Sequence, residues 1–242
     1  NVHSDSSGGF VVHNAGIIKN SRMEGTVSAD SFPGRLVSGF ALNNAGTILN
    51  SYSKANVDAF NNLAGFVFRN SGKIDSCYAT GHVNNGNKGS GDTYGGFVGQ
   101  NDSTGIISNS FASGEVVGGM HAGGFVGVNK GKILNCYATG DVHSYSVFGG
   151  FVGVNKGNIY YCYATGSLEK ITGYDVSYTA GGFVGSNEGQ INNAYATGNV
   201  TSEYTGAGFV SSNSGTILNA YATGKVSGKV EPAGFVGTNR KN

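Results

Sequence analysis

The sequence predicts an all-β fold, a single-stranded β-solenoid of about eight stacked coils of ~26 residues, and three observations carry that prediction. A Gly-Phe step recurs along the whole chain, fixed columns of small, apolar and polar residues follow it, and no helical periodicity interrupts them.

The step comes first. Phe stands at 10, 40, 66, 97, 125, 151, 183, 209 and 235, with spacings of 30, 26, 31, 28, 26, 32, 26 and 26 residues. Short β-rich stretches broken by glycine at this period belong to coils in which each strand pairs with its counterpart above and below. Residues 1–242 therefore read as one repeat domain, with full copies starting near the first eight of these phenylalanines and a partial one at Phe235. At a strand spacing of about 4.8 Å, eight coils would rise roughly 38 Å.

The strand that follows the step runs GFVGVN in the copy at residues 124–129. Side chains alternate between the faces of a strand, so Phe125, Gly127 and Asn129 share the inner face, and Arg69, Gln100 and His13 in the column of Val128 mark the outer one. Every Phe is followed four residues later by Asn, at Asn14, Asn44, Asn70, Asn101, Asn129, Asn155, Asn187, Asn213 and Asn239. An unbroken column of buried amides predicts a ladder in which each hydrogen-bonds the next along the axis. The glycines beside Phe are expected to let the backbone turn or to leave room for the next coil's ring. By the same parity the column of Val126, Val152 and Val184 faces outward, as an apolar stripe for lateral contact between rods or as one covered by a bulge or loop.

The CYATGDV segment completes the coil. The column of Cys136 otherwise holds Ser21, Ser51, Cys77, Ser110, Cys162, Ala194 and Ala220, and together with the columns of Ala138 and Val142 it reads as interior. The three cysteines are thus expected to be buried thiols. The column of Tyr137 admits Arg22, and that of Thr139 admits Glu24 and Lys54, which places both outside. Tyr78, Tyr137, Tyr163, Tyr195 and Tyr221 form a candidate contact face for sugar rings or a neighbouring rod, against the plainer reading of strand-favouring residues stabilising a parallel stack.

Between copies runs a connector, long at residues 28–39, 84–96 and 169–182. One corner of the coil therefore tolerates excursions, and Phe32, Pro33, Arg35, Tyr94, Tyr174 and Tyr178 are candidate loop contacts there. The pattern is cut at both ends and begins at Asn1 without a signal peptide, so an excised or processed segment is expected, with open coil edges that continue into a longer protein or join head to tail.

Composition narrows the function. With 15 basic and 14 acidic residues scattered along the chain, nucleic-acid binding is not expected, and no apolar run is long enough for membrane insertion. A zinc peptidase would need two histidines one helical turn apart with a glutamate between, whereas His3, His13, His82, His121 and His143 are separated from one another. Asp92, Asp102, Asp141 and Asp175 are singletons, not a paired-carboxylate site, and Asp recurs in no column as calcium repeats require. No cofactor, metal or catalytic residue is expected.

The consensus GGFVGxNxGxIxNCYATGxV, nearly intact at residues 123–142, 149–168 and 181–200, resembles the GLUG-motif repeats of bacterial surface proteins, and the resemblance spans essentially the whole chain. The first two copies depart most, with Arg22 and Met23 in place of Tyr-Ala and Ser53, Lys54 and Ala55 in place of Ala-Thr-Gly. Such repeats occur in large secreted or wall-attached adhesin-like proteins and beside the zinc domain of IgA-cleaving metallopeptidases. The resemblance implies an extracellular bacterial setting and no catalytic residue. The expected function is a non-catalytic structural or adhesive region whose partner is itself, end to end or laterally, or the rest of a larger surface protein, with a glycan or host protein as a further partner. A carbohydrate- or protein-binding module built on the long connectors is the alternative. An ice-binding solenoid is a third reading, since regular threonine columns order water.

Overall fold

The computed structural model describes residues 1–3, 6–29, 35–60, 62–85, 92–171 and 179–240. Among these residues every strand pairing is parallel, and the strands fall into four sheets of nine, thirteen, eight and nine strands that run the length of the molecule. The chain is a β-solenoid. One coil shows the path: Val126–Asn129, Lys132–Leu134, Tyr137–Ala138, Val142–Ser144 and Val147–Gly149 follow one another around the cross-section. Each stacks on its equivalent in the next coil without slippage, as Asn129 on Asn155, Ile133 on Ile159, Tyr137 on Tyr163 and Val142 on Leu168.

Direct register puts like on like, and the interior follows from it. The Phe rings stack face to face from Phe10 through Phe40 and Phe125 to Phe235, with centroids 4.6–5.0 Å apart. From Phe40 to Phe209 they are fully buried, next to columns of Ile48 to Ile191 and Ala79 to Ala196. A second apolar cluster fills the other side of the cross-section, with Val57, Val83, Val116, Val142, Leu168 and Val200 at its centre.

Two places break the simple alternation. At the Gly-Phe corner, the N–H groups of both Phe125 and Val126 donate to the single carbonyl of Phe151, at 2.9 and 3.0 Å. The chain turns there, so consecutive side chains both point inward. Val126, Val152 and Val184 are fully buried, which corrects their expected outward placement and removes the lateral apolar stripe. Parity holds only along an extended strand, and the corner resets it.

The second break lies between the strands Lys132–Leu134 and Tyr137–Ala138, where Asn135 has a φ of 53°. Its counterparts Asn20, Asn50, Ser76, Asn109, Tyr161, Asn193 and Asn219 all have φ between 48° and 55°. Asn is the non-glycine residue best suited to this left-handed region.

From Gly9 to Gly208 the glycine before Phe sits at the Gly-Phe corner and answers to a further constraint. A Cβ on Gly124 would overlap the carbonyl oxygen of Gly150 in the next coil, and the same holds for Gly150 against Gly182 and Gly182 against Gly208. Backbone stacked on backbone, not room for the phenylalanine ring, excludes a side chain here.

The connectors end in structure of their own. Leu36–Ser38, Thr93–Gly95, His121–Gly123 and Thr179–Gly181 belong to the eight-stranded sheet, so the described residues just before these Gly-Phe steps are part of the frame.

Candidate functional site

From Asn14 to Asn213 the asparagine column is internal. Eight hydrogen bonds join the nine side chains, each from Nδ2 of one to Oδ1 of the next, from Asn14 to Asn44 at 2.7 Å through Asn129 to Asn155 at 2.8 Å and on to Asn239, which only accepts. The second amide hydrogen of Asn129 reaches the carbonyl of Gly131 at 3.3 Å, and Oδ1 of Asn155 accepts from the N–H of Gly157 at 3.3 Å. The amides thus close the Asn-x-Gly turn within a coil and tie that coil to its neighbours. Buried amide polarity is satisfied without water.

The outward aromatic column is the candidate surface. Tyr52, Tyr78, Phe111, Tyr137, Tyr163, Tyr195 and Tyr221 stack with centroids 4.7–5.0 Å apart and planes within 7° of parallel. Their ring faces are occupied by one another, so along the stack the solvent meets ring edges and hydroxyls. Burial, followed by the neighbouring Tyr195 and Tyr137, raises the Tyr163 hydroxyl above its ordinary pKa. Beside this column lie Tyr160, whose hydroxyl donates to Oε1 of Gln190 at 2.8 Å, and Tyr161, 60 % exposed. Lys132 sits 5.7 Å from the Tyr160 ring centre. The result is a polar, hydroxyl- and amide-rich face whose charges, Arg22, Glu24, Lys54, Lys73 and Asp75, gather mainly in the first coils.

Of the connector candidates, Tyr94 is fully buried, corrected from a loop contact to a core residue. Its ring lies in the second apolar cluster and its hydroxyl donates to the carbonyl of Phe60 at 3.3 Å. In the strand Thr93–Gly95, Tyr94 takes the buried position that Ala122 and Phe148 hold in the following coils. Arg35 is partly buried. Phe32, Pro33, Tyr174 and Tyr178, with Asp175, lie outside the described residues.

Stacking also joins titratable groups that the sequence separates. His82 lies 2.9 Å from Asp58, and His143 stands between Glu115 at 3.2 Å and Glu169 at 3.8 Å. Asp141 accepts the N–H of Ser167 at 2.7 Å. Among the described residues, no group of three or more His, Cys, Asp or Glu side chains is placed to hold a metal ion. The three cysteines are buried thiols, and burial pushes Cys77 up to about 12.

The family model of the GLUG motif matches residues 90–117, 118–142, 144–172 and 176–201. Residues 90–201 are GLUG repeats. Each match spans about one coil, so the GLUG unit is one turn of this solenoid, with its asparagine and phenylalanine inside and its tyrosine outside. Coils beyond the matched stretch keep the GLUG geometry, as the Asn14–Asn44 and Asn213–Asn239 hydrogen bonds show. No curated protein matches the chain. What sequence reasoning missed in the GLUG unit is the left-handed position before the cysteine column. Its signal was the recurring Asn at 20, 50, 109, 135, 193 and 219.

Proposed function

We propose that this chain is a non-catalytic, rigid structural and adhesive repeat region of an extracellular bacterial surface protein. The observation that supports the reading is continuity: the phenylalanine stack and the asparagine ladder run unbroken from Phe10 and Asn14 to Phe235 and Asn239. A solenoid in which each coil contacts only its neighbours behaves as a stiff rod, and stacked hydrogen bonds along its axis oppose bending. The outer aromatic face and the exposed Thr139, Thr165 and Thr197 add a polar surface for adhesion. The proposed partners are the rest of a larger surface protein, a second copy of the chain, or a glycan or host protein. Ring faces held in the stack favour hydrogen bonding at their edges over stacking on sugar rings.

An antibody raised against the folded chain tests the setting. It should label intact, unpermeabilised cells of the source organism, and beads coated with the chain should be retained on host-matrix or glycan surfaces. Exclusive recovery from the soluble cytoplasmic fraction would overturn the proposal.

A further inference from the structure

One interior column changes chemistry along the rod. At the position of Cys136 it reads Ser51, Cys77, Ser110, Cys136, Cys162 and Ala194, one residue per coil and all buried. Tyr137 pairs with Tyr163, so the preceding residues Cys136 and Cys162 lie one above the other in adjacent coils. The N–H of Cys136 donates to Sγ of Cys162 at 3.4 Å across that step. Strand neighbours in this register have Cα atoms roughly 4.8 Å apart, inside the roughly 4.4–6.8 Å that a disulfide spans.

Cys77 has no such neighbour. It is flanked by Ser51, whose N–H donates to its Sγ at 3.4 Å, and by Ser110, whose Oγ accepts its N–H at 3.1 Å. Cys136 lies two coils on, at roughly 9.6 Å, beyond the reach of a disulfide.

We propose that Cys136 and Cys162 are a disulfide site: when the chain folds in the presence of a small-molecule disulfide, they join and staple two successive coils from inside, while Cys77 remains a thiol. One cysteine thiolate attacks the S–S bond of oxidised glutathione and expels one glutathione thiolate. The other cysteine thiolate then attacks the mixed disulfide and expels the second. Two protein thiols lose two electrons and two protons, and one oxidised glutathione becomes two thiols. Burial holds the Cys136 thiol well above its ordinary pKa, so exchange runs on the open chain and stops once the coils close. The carbonyls that accept the two S–H groups, Leu134 at 3.2 Å and Tyr160 at 3.1 Å, keep their backbone partners Asn109 and Asn135 when those protons leave.

The test is to refold the full chain from denaturant in a glutathione redox mixture, quench with acid, alkylate in denaturant and map the unreduced peptides. The expected product is two hydrogens lighter, with Cys136 linked to Cys162 and Cys77 alkylated. Cys136→Ser and Cys162→Ser should each abolish the linked species and Cys77→Ser should keep it. Serine already occupies this column at 51 and 110, so the variants retain the fold. Three alkylated cysteines after refolding, or links to Cys77 in comparable yield, would overturn the proposal.

Discussion

Asn129 hands an amide hydrogen to Oδ1 of Asn155 at 2.8 Å, and Asn155 hands one to Asn187 at 2.7 Å. Each amide is donor to one coil and acceptor from another, so the column works only if every member can do both. Asn155→Asp, which accepts but cannot donate while ionised, leaves Oδ1 of Asn187 without its donor and places a charge in the core. It should cost about 3 kcal/mol, more than Asn155→Ala, which unpairs Nδ2 of Asn129 and Oδ1 of Asn187 but buries no charge. Urea unfolding of the two variants checks the order.

Tyr161 sits at a φ of 55° where most coils place Asn, with its side chain 60 % exposed. Left-handed backbone is strained for a bulky residue, and little packing offsets it. Tyr161→Asn should stabilise the rod by about 1 kcal/mol, read as a raised unfolding midpoint.

Gly124 and Gly16 differ in what surrounds them. A Cβ at Gly124 meets the Gly150 carbonyl, and one at Gly16 meets nothing within 4 Å. Gly124→Ala should therefore cost about 3 kcal/mol, while Gly16→Ala stays within about 0.5 kcal/mol of the parent. Similar melting temperatures for the pair would show that the coils are not in close backbone contact.

Val152 is buried at the corner, whereas the column of Val128 carries the exposed Arg69. Val152→Lys should unfold the rod or cost more than about 4 kcal/mol, because an unpaired ammonium enters the core. Val128→Lys should fold normally. Circular dichroism separates the two.

Asp75 gives a pH signature. Burial pushes its carboxyl up, but hydrogen bonds from Asn109 at 2.8 Å and Ser108 at 2.9 Å, with Lys73 at 3.5 Å, outweigh this and hold it below its ordinary 3.8. A folded-state pKa below the unfolded one means stabilisation that is full above pH 3.8 and lost as pH falls through the folded value. Thermal melts between pH 7 and pH 2 should show a larger fall for the parent than for Asp75→Asn.

The solenoid, the asparagine ladder and the outward tyrosines were legible in the chain because their columns repeat. A repeated column states which residue types a position accepts. The charged exception at Arg22 told outside from inside where the tyrosines could not. The candidate face was readable for the same reason, while the buried fate of Tyr94 was not: a single residue in an irregular connector has no column to average over.

Composition and period by themselves pointed to stacking, to the number of coils and to which residues lie on like residues, since in-register stacking buries the same columns in every copy. The tertiary structure decided where the path bends. The corner at Phe125 and Val126 and the left-handed step at Asn135 each reset the alternation, turning the valine stripe inward and making backbone contact the reason for Gly124. Alternation is a property of extended backbone, and only the closed coil shows where the backbone stops being extended.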